Sequence, residues 1–103
     1  MANWQTICRI GELDDGASRA VEVAGRLVAV FRQGDRYFAI DDVCPHMGAS
    51  LSEGYVEDGI VTCSWHAWRF SVKDGAWLDN PRSKIANPSY PVRVVGDEIQ
   101  VEI

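Results

Sequence analysis

Residues 20–40 read AVEVAGRLVAVFRQGDRYFAI, and this stretch decides the fold class. Three β-rich runs, Ala20–Val23, Leu27–Arg32 and Arg36–Ile40, are separated by Ala24-Gly25-Arg26 and Gln33-Gly34-Asp35. Each separator is short and carries a glycine, which accepts the positive φ that a tight reversal needs. The pattern extends in both directions. Trp4–Ile10 alternates, with Trp4, Thr6, Cys8 and Ile10 on one face and Gln5, Ile7 and Arg9 on the other. Further strand runs are Gly59–Cys63, Trp68–Val72, Tyr90–Val95 and Glu98–Ile103, with turns at Asp58-Gly59, Asp74-Gly75 and Gly96-Asp97. No long stretch places apolar residues at helical spacing. Short strands at this density predict an all-β antiparallel sandwich or small barrel. Residues 1–103 are read as one domain, with 41–82 as a loop-rich lobe and 79–91, rich in Pro, Asn and Ser, as an irregular loop.

Composition narrows the function classes. A chain of 103 residues has room for one domain. Ten basic against fifteen acidic residues give a net charge of -5, which argues against a partner recognised through its phosphate backbone. The longest apolar run, Leu27–Phe31, is far shorter than the roughly 20 residues of a membrane helix. Met1-Ala2-Asn3-Trp4 has neither a basic start nor an apolar core of signal type. The expectation is a soluble, cytoplasmic protein with no nucleic-acid or membrane partner. Three cysteines do not make a disulfide framework.

Two of those cysteines are placed beside the only two histidines. Cys44-Pro45-His46 is followed by sixteen residues and then by Cys63-Ser64-Trp65-His66. Two loops thus each supply one thiolate and one imidazole, a donor set that selects zinc, copper or iron–sulfur clusters. Zinc sites usually pair like ligands two to four residues apart, whereas each pair here is mixed. A mononuclear tetrahedral site is one solution. A two-iron cluster fits better, with the cysteines on one iron and the histidines on the other.

This motif, with Gly48 two residues after His46, resembles that of the Rieske [2Fe-2S] proteins. The resemblance spans the chain in size and strand pattern and is most specific over residues 44–70. It implies Cys44 and Cys63 on one iron, His46 and His66 on the other, one [2Fe-2S] cluster, and a Rieske-type antiparallel β fold carrying two cluster loops. It further implies a proline-containing cover, for which 79–91 is the candidate, and electron exit through the histidines. Rieske proteins of the cytochrome complexes add a loop disulfide; Ala49 and Trp65 stand at those positions here. They also carry Ser and Tyr hydroxyls toward the cluster sulfurs, where this chain has Trp68 and Phe70. Fewer donors to sulfur imply a low potential, roughly -150 to 0 mV. Two ferric ions, two sulfides and two thiolates sum to zero, so one electron would make the site -1.

The function implied is a one-electron carrier, itself no enzyme, between a flavin-dependent NAD(P)H reductase and a terminal oxygenase. Two alternatives stay open: the small subunit of an assimilatory NAD(P)H nitrite reductase, and a non-redox zinc-binding interaction module. Cys8 is read as a small buried hydrophobe, Trp4 and Trp77 as core, and Trp65 and Trp68 as packing or docking residues. Met47 is read as a loop-tip contact and Arg69 as a solvated or ion-paired strand residue. Asp41 and Asp42 are read as a turn or an acidic docking patch.

Overall fold

A computed structural model describes residues 3–44, 48–64, 68–80 and 82–103. Among them there is no α-helix. Ten strands form three antiparallel sheets: β1 (Trp4–Arg9), β2 (Ser18–Val23), β3 (Arg26–Gln33), β4 (Arg36–Asp41), β5 (Tyr55–Glu57), β6 (Ile60–Thr62), β7 (Arg69–Ser71), β8 (Ser89–Tyr90), β9 (Val92–Val95) and β10 (Glu98–Glu102). The sheet orders are β1-β10-β9, β2-β3-β4-β8 and β5-β6-β7.

The two hairpins read from residues 20–40 build the central sheet. Ala24 and Gly25 both take positive φ, at 50° and 80°, so the β2–β3 turn is a two-residue reversal whose twist suits the flanking strands. The apolar run in β3 has a structural cause. Val28 and Val30 enter one buried cluster with Ile7, Cys8, Ile99 and Val101, while Ala29 and Phe31 enter another with Leu51, Val61 and Phe70. Strand β3 is therefore buried on both faces, and continuous hydrophobicity replaces alternation. Strand β4 divides likewise, with Ala39 in the first cluster and Ile40 in the second. The central sheet thus has the β1-β10-β9 sheet on one face and the lobe, with its β5-β6-β7 sheet, on the other.

Several sequence expectations are corrected. The alternation of Trp4–Ile10 fails because the β1–β10 register shifts between Thr6 and Cys8, which buries the neighbours Ile7 and Cys8 together. Ile10 leaves the strand for a 3-10 turn, Ile10–Glu12. Trp4 is only half-buried and lies beneath the Arg93 guanidinium, 4.3 Å from its ring centroid. The expected strand Tyr90–Val95 is divided at Pro91, which has no N–H for a ladder, so β8 joins β4 and β9 joins β10. Strand β5 has no signal in the sequence reading.

The 79–91 loop is anchored at its far end. Asn87 is buried and its N–H donates to the Gly75 carbonyl at 2.9 Å, while the Asp41 N–H donates to Pro88 O at 2.9 Å. Gly75 has φ +73°, and a Cβ there would lie 2.0 Å from Asn87 O. Gly16 has a similar φ, +80°, but open space around it. Urea unfolding should therefore separate the two: Gly16→Ala loses about 1–2 kcal/mol from the left-handed backbone alone, and Gly75→Ala about 3 kcal/mol or more. Equal losses would contradict the close approach.

Candidate metal centre

The two cysteine loops are built alike. In the first, Asp42 and Leu51 are linked by the Leu51 N–H to Asp42 O bond, Val43 bridges to Ser50, and the Cys44 N–H donates to Ala49 O at 2.8 Å. In the second, Thr62 pairs with Arg69 and the Cys63 N–H donates to Trp68 O at 2.8 Å. Each cysteine is thus the last paired residue before a hairpin tip, closed onto the carbonyl five residues ahead. The first tip needs Gly48 at φ +81°, and its N–H returns to Cys44 O at 2.8 Å.

Both thiols point inward. Cys44 is 1% and Cys63 2% exposed, and both belong to the apolar cluster of Ala49, Leu51, Val61 and Phe70. His46 and His66 lie outside the described residues, as do Met47, Trp65 and Pro81. By sequence position each histidine falls within the tip that its cysteine opens.

A polar frame supports the first loop. Asp42 is buried, at 3% exposure, and accepts from the Ser50 hydroxyl at 2.5 Å and from the Ser52 N–H at 2.8 Å. The Ser50 and Ser52 hydroxyls lie 2.9 Å apart, and the Ser18 hydroxyl donates to Ser52 O at 2.6 Å, tying the loop to β2. Asp42 is therefore a loop brace and not part of an acidic docking patch. The sequence pointed to a turn or a docking patch at Asp42 but not to this brace, because its serine partners are eight and ten residues away. Asp41 turns the other way, to the Arg26 guanidinium at 3.3 Å and to the Tyr90 hydroxyl, which donates to its Oδ1.

The second loop rests on aromatic rings. Trp68 stacks on Trp77 with centroids 4.0 Å apart and planes at 17°, and Phe70 lies buried beside them. The Trp77 indole N–H donates to Asp79, and Asp79 accepts from the Arg69 N–H at 2.8 Å and from its guanidinium at 2.9 Å. These contacts, the Arg69 N–H first, hold the Asp79 carboxyl below its ordinary range. Trp68 and Phe70 thus form a packed aromatic wall beside the second loop. Cys8 lies in the other cluster, where burial pushes its thiol up, as suits a hydrophobe and not a ligand.

Two buried thiols at the bases of matched hairpin tips, in an all-β frame, form a soft donor pair of the kind that holds a metal or an iron–sulfur cluster. Residues 3–91 match the Rieske [2Fe-2S] domain family, and the chain belongs to it. The anthranilate 1,2-dioxygenase ferredoxin subunit of Burkholderia cepacia is 36% identical over 103 residues, covering 100% of this chain and 94% of that protein. A chain from Mycobacterium tuberculosis, assigned as the small subunit of an NADH-dependent nitrite reductase, superposes with TM-score 0.91 at 33% identity, covering 100% of this chain and 96% of its own. The ferredoxin in a complex of reduced oxygenase and oxidised ferredoxin of carbazole 1,9a-dioxygenase superposes with TM-score 0.86 at 30% identity, covering 96% and 92%. The expected fold class is borne out, and family membership gives the cofactor as one [2Fe-2S] cluster. The buried thiol pair fits that group, since soft thiolates in an apolar, hydrogen-bonded setting suit iron–sulfur ligation. No helix among the described residues is long and apolar enough to cross a membrane.

The Tyr90–Asp41 contact yields a pH prediction. Burial, then the Asp41 hydrogen bond and charge, push the Tyr90 phenol from 10 up to about 12. A raised folded value means the contact stabilises fully below pH 10 and is lost as pH rises through 12. The stability advantage of the wild type over Tyr90→Phe should be constant below pH 10 and shrink between 10 and 12, read as the urea midpoint against pH. A constant difference across that window would contradict the contact.

Proposed function

We propose that this chain is a one-electron carrier whose [2Fe-2S] cluster is held by Cys44 and Cys63 on one iron and by His46 and His66 on the other. The observation that carries the reading is the matched pair of tips, each opened by a buried, hydrogen-bonded cysteine and each containing one histidine. When bound, the cluster supplies a site that accepts and releases a single electron. The protein's part is to hold that site with little rearrangement. The Cys44 and Cys63 N–H groups fix both tip bases, the Asp42–Ser50–Ser52 frame holds the first tip, and the Trp68–Trp77 stack supports the second. The apolar cluster keeps water from the cysteine side, which leaves the histidine side for electron exit.

The chain functions as one domain over 1–103, with 41–82 as the cluster-binding lobe. It receives electrons from a flavin-dependent NAD(P)H reductase and passes them to a terminal oxygenase, in the cytoplasm, where the nicotinamide donor and its three cysteine thiols both fit. The similarity to the B. cepacia subunit supports the oxygenase reading, and the M. tuberculosis neighbour supports a nitrite reductase small subunit as the second.

The test is low-temperature electron paramagnetic resonance of the dithionite-reduced protein with metal analysis of the same sample. The expected result is a rhombic signal and two irons per chain, with the signal lost in His66→Ala. One zinc and no signal would overturn the reading, and an unchanged signal in His66→Ala would overturn the ligand set. Because the carrier is acidic, at net charge -5, electron transfer with its reductase should slow as ionic strength rises. Flat rates in stopped-flow measurements would exclude charge-steered docking.

A further inference from the structure

The β5-β6-β7 sheet of the lobe turns one face to solvent, and the proposed carrier role leaves that face unused. We infer that it is a docking pocket for an arginine side chain of the protein that exchanges electrons with the carrier. This inference rests on the proposed one-electron role.

The pairing register places the residues. Tyr55 pairs with Thr62 and Thr62 with Arg69, while Glu57 pairs with Ile60. Cross-strand partners share a face of a sheet, as do alternate residues of one strand. Val56, Val61 and Phe70, on the opposite face, pack into the lobe core. The outward residues enclose a groove of about 230 Å³, lined by Tyr55, Glu57, Asp58, Ile60, Thr62 and Arg69. A water molecule's share of liquid volume is roughly 30 Å³, so the groove admits a side chain. Tyr55 is 67% exposed, and among the described residues its ring and hydroxyl have no partner. The outward face of the β1-β10-β9 sheet is different. There Arg93 covers the Trp4 ring and donates to Gln100, Gln100 donates to Thr6, and Thr6 donates to Glu98. That face is closed by its own side chains, and the lobe face is open.

The charges select the occupant. Arg69 is answered by Asp79, which accepts from its guanidinium at 2.9 Å. Glu57 and Asp58 are exposed and, among the described residues, enter no ion pair. The groove therefore carries two unanswered negative charges beside an open phenol ring. A planar guanidinium complements both, because it stacks on an aromatic face and forks onto a carboxylate. An exposed contact of this kind steers encounter and orientation more than it adds affinity. The position suits an electron carrier. Thr62–Arg69 is the last ladder pair below the second tip, since the Cys63 N–H closes onto Trp68 O. A partner anchored in the groove is thus seated beside the loop that, by sequence position, contains His66.

The experiment uses the holoprotein in two measurements. In the first, the isotope-labelled oxidised protein is titrated with the blocked tripeptide acetyl-Gly-Arg-Gly-amide and followed by amide nuclear magnetic resonance. Shifts should concentrate in residues 55–62 and 69–71, and the apparent affinity should fall about fivefold in Glu57→Gln/Asp58→Asn. In the second, the reduced protein is mixed by stopped flow with ferricytochrome c, a basic one-electron acceptor, at low ionic strength. Glu57→Gln/Asp58→Asn should slow bimolecular electron transfer about fivefold and Tyr55→Ala about twofold. Asp97→Asn/Glu102→Gln removes the same charge from the β9–β10 hairpin of the frame and should slow it less than about twofold. Equal slowing in the two double variants would mean that only net charge matters, and would overturn the inference. Peptide shifts centred outside the groove would also overturn it. So would tighter binding of acetyl-Gly-Glu-Gly-amide, which would assign the face to an acidic partner through Arg69. Groove shifts that follow protein concentration alone would assign it to a second copy of the chain instead. A wild-type protein with no iron signal would sink the proposed function itself, so the two failures are distinguishable.

Discussion

The lobe depends on one repeated hydrogen bond. In each cysteine loop the cysteine N–H donates to the carbonyl five residues ahead, Cys44 to Ala49 and Cys63 to Trp68. That bond ends the ladder and sets the thiol on the inward side, leaving the intervening residues as the tip. Removing it would leave the accepting carbonyl without its donor and open the base of the tip. Because the same closure occurs twice, two segments far apart in sequence deliver chemically equivalent ends to one apolar cluster.

The closures work because of what lies beneath them. Strands β3 and β4 are buried on both faces, so a single sheet serves two cores. One core joins it to β1, β9 and β10 and gives the frame. The other joins it to the lobe and contains both cysteines. The loops are then held by unlike means. The first is braced by the buried Asp42 and its serines, the second by stacked tryptophans and the Arg69–Asp79 pair. A buried acidic side chain with its hydroxyl partners lies under one loop and an aromatic wall beside the other, an asymmetry the ligand pattern alone does not reveal.

The departures from the sequence reading have a common origin. Tyr55–Glu57 is too short for alternation to register, and only its pairing with Ile60–Thr62 makes it a strand. The alternation of Trp4–Ile10 looked regular, but the register shift before Cys8 turned adjacent residues inward. Pro91 divided a run that composition made continuous. Each is a matter of which strand lies alongside, and local pattern has no access to that.

The sequence by itself determined the β class, through the glycine reversals of residues 20–40, and the donor set, through two Cys–His pairs whose residue types carry their chemistry without any partner. Local backbone preference and ligand chemistry are properties of a few adjacent residues, so they are readable in order. Tertiary structure alone decided that Cys44 and Cys63 share a buried cluster, that Asp42 lies buried among serines while Asp41 faces Arg26, and that Trp68 stacks on Trp77. Burial and pairing are relations between distant segments, fixed only when the sheets pack, and adjacent residues of identical type can then meet opposite environments.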